Sequence, residues 1–425
     1  MQRRDCLRLL SALGAAALPI RARAAAPVTL KFWTFLNLQE TDPRGHVVNE
    51  IVRSFNASQS NYHVEPQSID YARIDNSVIQ ATAAGQGPDV VNVYSDMAAR
   101  HAAAHTLMPL NPYLEKTAAA DQSGFVVPLK ELMFNGQLLT LPWEARVWLL
   151  WYRTDLLAQA RLPVPETLDA MGMAGGKISN EHLMGFAFGA SQAGLGAGVY
   201  QTLTPLLWGA GGDLLDSKGN AAFDSPAGVK VLAFLHDLVA KYKAMKPTVV
   251  SLADYDVMAS FKAGTVGMAV LGSYLVTAAR SGSAVGQSLR TAAVPGWSDG
   301  TPSPARLAAQ CLSIGASSTH AEGAWAFIQY YTSAESQIAF AKAGVMPSRE
   351  GSYSNRFFSD TDQGKEMMGW KTYAVQHGRF EALPQDFTQL SEDLVQAVQQ
   401  VLLHDADPAQ VLKVAAQQYD SHRSG

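Results

Sequence analysis

Apolar positions change their period several times within the first hundred residues. Val28 to Phe35 forms a β-rich run. Val47, Val48, Ile51, Val52 and Phe55 then recur at helical spacing and give one apolar stripe. Tyr62 to Ile69 alternates as a strand does, and Ile74 to Ala84 reads as a second helix stopped by Gly85-Gln86-Gly87-Pro88. Asp89 to Tyr94 is a short apolar strand. This β-α-β-α-β order predicts a mostly parallel sheet covered by helices. Downstream, 138–141, 147–152, 184–189 and 266–271 are predicted strands, and 229–243 and 253–263 predicted helices. Thr319 with Glu322, and Thr332 with Glu335, read as capping boxes for two successive helices, and 390–418 is predicted helical. The chain shows no internal repeat and no low-complexity linker, and its 425 residues are enough for two lobes between which it crosses several times.

The first residues have a different character. Arg3, Arg4 and Arg8 precede an apolar stretch from Leu9 to Ile20, and Ala22-Arg23-Ala24 follows as a small-residue cleavage site. The stretch is about half the ~20 residues a membrane-spanning helix needs. It resembles a twin-arginine export signal, with Gln2 where Ser or Thr is usual and Cys6 where Phe or Leu is common. Residues 1–24 are therefore expected to be a signal peptide removed near Ala24, leaving a soluble protein in a bacterial periplasm. Losing five arginines and one aspartate would take the net charge from −4 to −8. Of the two cysteines, Cys6 would leave with the signal and only Cys311 remain, so no internal disulfide is expected.

Hydrophobic residues make up 48% of the chain and charged residues 16%, the balance of a globular protein with sizeable cores. The acidic charge excludes nucleic acid as the main partner, because such binding needs a basic face to displace phosphate counterions. No zinc pattern of the H-E-x-x-H or C-x-x-C type occurs, and no phosphate-binding P-loop. Gly194-Leu195-Gly196-Ala197-Gly198 departs from the dinucleotide pattern at Val199, and Gly189 to Ala193 misses the last glycine of a nucleophile elbow. Cleft carboxylates distant in sequence, such as Glu144 and Asp213, leave a glycan-processing enzyme open as an alternative.

Several segments together carry a family likeness. The helix ending in Gly85-Gln86-Gly87-Pro88-Asp89-Val90-Val91 leads into a strand. Leu30-Lys31-Phe32-Trp33 precedes it, and Leu107-Met108-Pro109-Leu110 follows. Next come Leu141-Pro142-Trp143, Trp151-Tyr152-Arg153-Thr154-Asp155-Leu156-Leu157, and Phe261-Lys262-Ala263-Gly264 with Gly267-Met268-Ala269 and Gly272-Ser273-Tyr274. The order closes with Ala292 to Gly296, Ala324-Trp325-Ala326-Phe327-Ile328 and Thr332-Ser333-Ala334-Glu335. In this order, over about residues 28–350, they resemble the family 1 extracellular solute-binding proteins of ABC importers, which include the maltose-binding and glycerol-3-phosphate-binding proteins. Arg153, Leu168, Tyr274 and the Gln310-Cys311 pair depart from the family's usual residues.

The resemblance implies a two-lobed α/β periplasmic binding protein with its ligand in the cleft. Crossovers are expected near Trp143, Ala292 and Ser333, so that 25–143 with 292–333 form one lobe and 144–291 with 334–425 the other. It implies a monomer without catalysis or cofactor that delivers a small polar solute, a sugar above all, to a membrane permease. Glycerol-3-phosphate, a polyamine or another small ion stays open as cargo, and so does a sensory or chaperone role without transport.

A sugar needs flat aromatics for its faces and fixed polar groups for its hydroxyls. Residues of both kinds follow predicted strands, where ligands of open α/β sheets sit. The candidates are Trp33, Tyr71, Tyr94, Asp96, Glu144, Arg146, Trp208, Asp213, Tyr274, Trp297 and Arg349. Trp33 reads equally as core, Trp143 also as a hinge core residue, and Trp208 could be lobe core although Gly211 and Gly212 beside it suggest an exposed turn, whereas Gly272 beside Tyr274 allows a close approach. Arg146 or Arg349, if turned inward, would suit an anionic solute.

Overall fold

The alternating β and helical periods of the first segment fold as read. In the computed structural model, which describes residues 26–39, 42–117, 124–283, 285–380, 383–384 and 386–423, strands β1 (Val28–Thr34), β2 (Tyr62–Ser68) and β3 (Val90–Tyr94) form a parallel group. The expected signal segment lies outside the described residues. The helix Pro43–Ser58 buries Val47, Val48, Ile51, Val52 and Phe55, the stripe seen in the sequence. Asp42 caps this helix, accepting from the amides of Arg44 and Gly45.

Beyond a small hairpin, β4 (Met133–Phe134) with β5 (Gln137–Leu138), comes the strand that joins the two lobes. Strand β6 (Leu141–Arg153) has 13 residues and two sets of partners. Its first half pairs antiparallel with β9 (Ala305–Ile314), which in turn lies against β3. Its second half pairs with β7 (Met268–Gly272) on one edge and β8 (Leu289–Ala292) on the other. A short β10 (Gly378–Phe380) adds to β9.

The expected break between 138–141 and 147–152 is thus absent, because the ladder continues through Pro142 and the charged Glu144 and Arg146, shifting register between Pro142 and Glu144. Ala292, near which a crossover was expected, ends β8, and the next strand is β9. Beyond Ser333 the chain returns to β6, where the Ala145 amide donates to the Met346 carbonyl and Pro347 bridges Glu144. The helix Asp362–His377 then reaches β8, its Trp370 Nε1 donating to Thr291 Oγ1 at 2.9 Å.

Aromatic rings fill the first lobe: Phe32, Phe55 and Tyr331 gather round Phe327 with centroids 5.2–5.8 Å apart. In the second lobe Trp151 meets Phe261 edge-on at 5.9 Å. The predicted helix over 390–418 is two helices, Phe387–His404 and Pro408–Arg423, separated at Asp405 in the left-handed region (φ 50). Met184 to Gly189 contributes only isolated parallel bridges to Val266 and Ala269 in place of a full strand.

Neither expected capping box forms. The helix Ala321–Tyr331 starts after His320 with no side-chain cap, since Ser318 Oγ takes the His320 amide instead. The next helix, Ala334–Lys342, is capped by Ser333, because Thr332 Oγ1 donates back to the Ile328 carbonyl.

Candidate functional site

The parallel strands deliver their last residues to one side, and the second lobe closes over them. Phe35 and Asn37 follow β1, Ser68 ends β2 with Asp70 and Tyr71 just beyond it, and Tyr94 ends β3. From the second lobe come Tyr274 just past β7, Gln201 on the helix Ala197–Gly209, and Asp254 and Tyr255 at the start of the helix Asp254–Lys262. Arg146 stands midway along β6. All of these line one cavity of about 440 Å³, within the ~300–1,000 Å³ common for small-molecule sites.

Its floor is a stacked cation. Arg146 is buried, with Glu144 completely buried beneath it; Nε reaches Oε1 at 2.9 Å and NH2 reaches Oε2 at 3.0 Å. The guanidinium carbon lies 4.1 Å from the Tyr274 ring centre and 5.5 Å from that of Tyr94. Burial opposes the charge of Arg146, but the Glu144 carboxylate more than offsets it and the group stays protonated. Tyr274 can fold over β7 because residue 272 is glycine: a Cβ there would stand 2.2 Å from Tyr274 Cε1. Tyr71 packs edge-on against Phe35 at 5.4 Å and lies 6.4 Å from Tyr94, giving the first lobe an aromatic wall.

A second buried pair ties the lobes together behind the cavity. Asp96 accepts from Arg306 NH2 at 2.5 Å and from the Tyr200 hydroxyl at 3.1 Å. Gln201 Nε2 donates to that hydroxyl at 3.2 Å, and Trp148 Nε1 donates to Gln201 Oε1 at 3.1 Å. Asp96 comes from the end of β3 and Tyr200 from a helix of the other lobe, so this network spans the cleft. Burial first, and then the Asp96 carboxylate, hold the Tyr94 phenol above its ordinary value and neutral.

Four of the eleven expected residues, Tyr71, Tyr94, Arg146 and Tyr274, share the cavity wall. Glu144 and Asp96 support it from behind. The others stand elsewhere. Trp33 packs beside Ile74, Val78, Leu107 and Leu139. Trp208 Nε1 donates to Asp213, which also pairs with Arg379. Trp297 Nε1 donates to the Leu206 carbonyl under Lys230. Arg349 lies over Phe125 with Nε 2.8 Å from the Thr332 carbonyl, at a separate cavity of about 540 Å³.

Sequence reasoning missed Phe35, Asp70, Gln201, Asp254 and Tyr255. Gln201 is embedded in the apolar run Val199 to Trp208, and Asp254 reads as an ordinary acidic residue in a first helical turn. Neither carries a signal of its own: Gln201 lies inside the helix Ala197–Gly209, and Asp254 follows the single-turn segment Pro247–Ser251 with no strand before it. Among the described residues no group of three or more His, Cys, Asp or Glu stands together to hold a metal, and no helix is long and apolar enough to cross a membrane.

Residues 40–338 match the family of bacterial extracellular solute-binding proteins, and the chain belongs to that family. A probable ABC transporter-binding protein of Deinococcus radiodurans is 24% identical over 229 residues, covering 52% of this chain and 53% of that protein. The match thus spans about half the length of this curated relative. Among solved structures, maltose-bound T. maritima MalE3 superposes with a TM-score of 0.78 at 22% identity, covering 92% of this chain and 99% of that one. The GacH receptor of Streptomyces glaucescens, solved unliganded and with acarbose, gives 0.78 at 20% identity, covering 93% and 98%. The two-lobed architecture with a cleft is therefore the fold of this chain.

Proposed function

We propose that this protein is the capture component of a bacterial ABC importer and that its cargo is a carbohydrate. The observation that carries the reading is the cavity itself: about 440 Å³, walled by Phe35, Tyr71, Tyr94, Tyr255 and Tyr274, with Asn37, Ser68 and Gln201 offering polar edges. Sugar C–H faces stack on such rings, while hydroxyls take the polar groups. The maltose and acarbose named for the two structural neighbours point the same way.

One lobe is built on β1, β2 and β3 and the other on β7 and β8, and β6 passes from one to the other. The solute bridges them and selects the closed form. The liganded protein, in the periplasm after loss of residues 1–24, then docks on the permease and releases its cargo unaltered. It works as a monomer and without a cofactor.

An anionic cargo such as a sugar phosphate fits less well, since the Arg146 guanidinium is committed to Glu144. The glycosidase alternative required Glu144 and Asp213 to flank one cleft. Here Glu144 is held by Arg146, and Asp213 by Trp208 and Arg379.

A thermal-shift screen of the chain from Ala25 against sugars, polyols, sugar phosphates and polyamines tests the reading. At 100 times its dissociation constant, a ligand specific to the folded state adds about 2.7 kcal/mol. A clear rise with a sugar, recovered unchanged, supports it. A rise with phosphates alone, or recovery of a cleaved sugar, refutes it.

A further inference from the structure

The charges on the cavity wall do not cancel. Asp42 lies 4.0 Å from Arg44, and Arg146 is matched by Glu144. Behind the wall Arg306 is matched by Asp96. Two wall carboxylates have no cationic counterpart. Asp70 is used locally, accepting from the Ala72 amide at 3.0 Å. Asp254 is different: it is only 7% exposed, and its Oδ1 is buried with no hydrogen-bond partner.

This carboxylate is seated deliberately close to backbone. A Cβ on Gly189 would stand 2.8 Å from Oδ1, and one on Gly198 would stand 2.5 Å from it. Two glycines therefore make the niche that holds the acid at the cavity. The turn of helix it begins is satisfied without it, because Asp256 accepts the Ala253 amide at 2.9 Å. A buried carboxylate that neither caps a helix nor pairs with a cation is costly to keep unless a ligand completes it.

Building on the reading of this cleft as a carbohydrate site, we propose that the cargo carries a protonated amino group, an amino sugar or amino polyol, whose nitrogen seats on Asp254. A hydroxyl can satisfy the acid in its protonated form but would leave the ionised form uncompensated. An ammonium group donates and neutralises together. The rings of Tyr255 and Tyr274, beside Asp254 on the wall, suit the flank of a cation. Burial pushes the Asp254 carboxyl up to about 7, with Arg306 opposing, so an incoming cation ionises it and releases a proton.

The titratable and charged groups facing this corner are Tyr71, Tyr94, Tyr255, Tyr274, Arg146 with Glu144, and Arg306 with Asp96. Burial holds Tyr94 and Tyr274 above their ordinary values, and both pairs are internally matched. Asp254 is therefore the group whose ionisation should govern binding between pH 5.5 and 7.5.

The test is calorimetric titration of the chain from Ala25 with matched pairs. These are D-glucosamine against D-glucose and N-acetyl-D-glucosamine, and 1-amino-1-deoxy-D-glucitol against D-glucitol, with maltose and spermidine as controls. The expected result is that an amino member binds at least about 10-fold tighter than its uncharged partner. The preference should grow from pH 5.5 to 7.5 and vanish in Asp254→Asn. Should that variant fail to fold, the pH series on the unaltered protein decides alone. If neutral sugars bind as tightly as their amino partners, or bind better at low pH, the amino-group inference falls and the carbohydrate reading stands. If spermidine alone binds, or nothing does, both fall.

Discussion

Replacing Glu144 by Gln would remove one charge from the centre of β6 while keeping its shape. Arg146 is 5% exposed and Glu144 fully buried, and their two hydrogen bonds, at 2.9 and 3.0 Å, are of the paired fork type. The amide can accept one of the two bonds but cannot neutralise the guanidinium, which has only the rings of Tyr274 and Tyr94 against it. Breaking one side of a buried pair costs about 3–5 kcal/mol. At ~2–4 °C per kcal/mol for units of 150–250 residues, the melting temperature should fall by roughly 6–20 °C. Urea unfolding followed by tryptophan fluorescence gives the free energy, and calorimetry gives the melting point. The double variant Glu144→Gln with Arg146→Met should recover most of the loss, because an apolar side chain needs no counter-charge there. A Glu144→Gln protein within about 1 kcal/mol of the original would refute the reasoning. It would mean that Arg146 has water or another acid to turn to, and that the pair is worth no more than a surface salt bridge.

Three further outcomes follow from the same geometry. Gly272→Ala drives a methyl group against Tyr274; titration calorimetry should show ligand affinity falling about 10-fold or more, with an overpacking cost of roughly 1–3 kcal/mol. Asp254 binds its proton up to about pH 7 when folded but only to 3.8 as an ordinary aspartate, so the folded state holds more protons in that window. Stability of the ligand-free protein should fall as pH rises from about 4 to 7, by about 4 kcal/mol from this group, and the Asp254→Asn protein should lack this component of the fall in pH-dependent urea melts. The Cys311 thiol is fully buried and pushed up to about 12 by that burial, so a thiol reagent at pH 8 should label it only as fast as the protein unfolds.

β1, β2 and the helices between them were legible because each has one buried face, and that face imposes its own period on the sequence; β3, buried throughout, was legible as a short apolar run. Strand β6 was not, since Pro142, Glu144 and Arg146 interrupt its apolar run; the two charges satisfy each other two residues apart, and the strand they pair with, β9, lies far away in sequence. The aromatic candidates divided for a related reason. Tyr71, Tyr94 and Tyr274 follow strands whose ends face the other lobe. Trp33, Trp208 and Trp297 follow similar patterns, yet Trp208 is buried and the other two half-buried against their own lobe, and two of them satisfy their N–H groups there. Residue type and strand-end position specify an aromatic near a cleft but not which side of the backbone it takes. Asp254 was illegible because its meaning lies in the partner it lacks, which only the packing of Gly189 and Gly198 around it makes visible.

In the proposed role this cleft captures a carbohydrate and returns it unchanged. Equilibrium dialysis of the protein with the sugar that gives the largest thermal shift, followed by mass spectrometry of what is recovered, tests it most directly when run beside Tyr71→Ala and Tyr274→Ala. The expected result is one intact solute per chain, bound by the original protein and with affinity at least about 10-fold weaker in each variant. Retention undiminished in both variants, or recovery of a cleaved product, would contradict it.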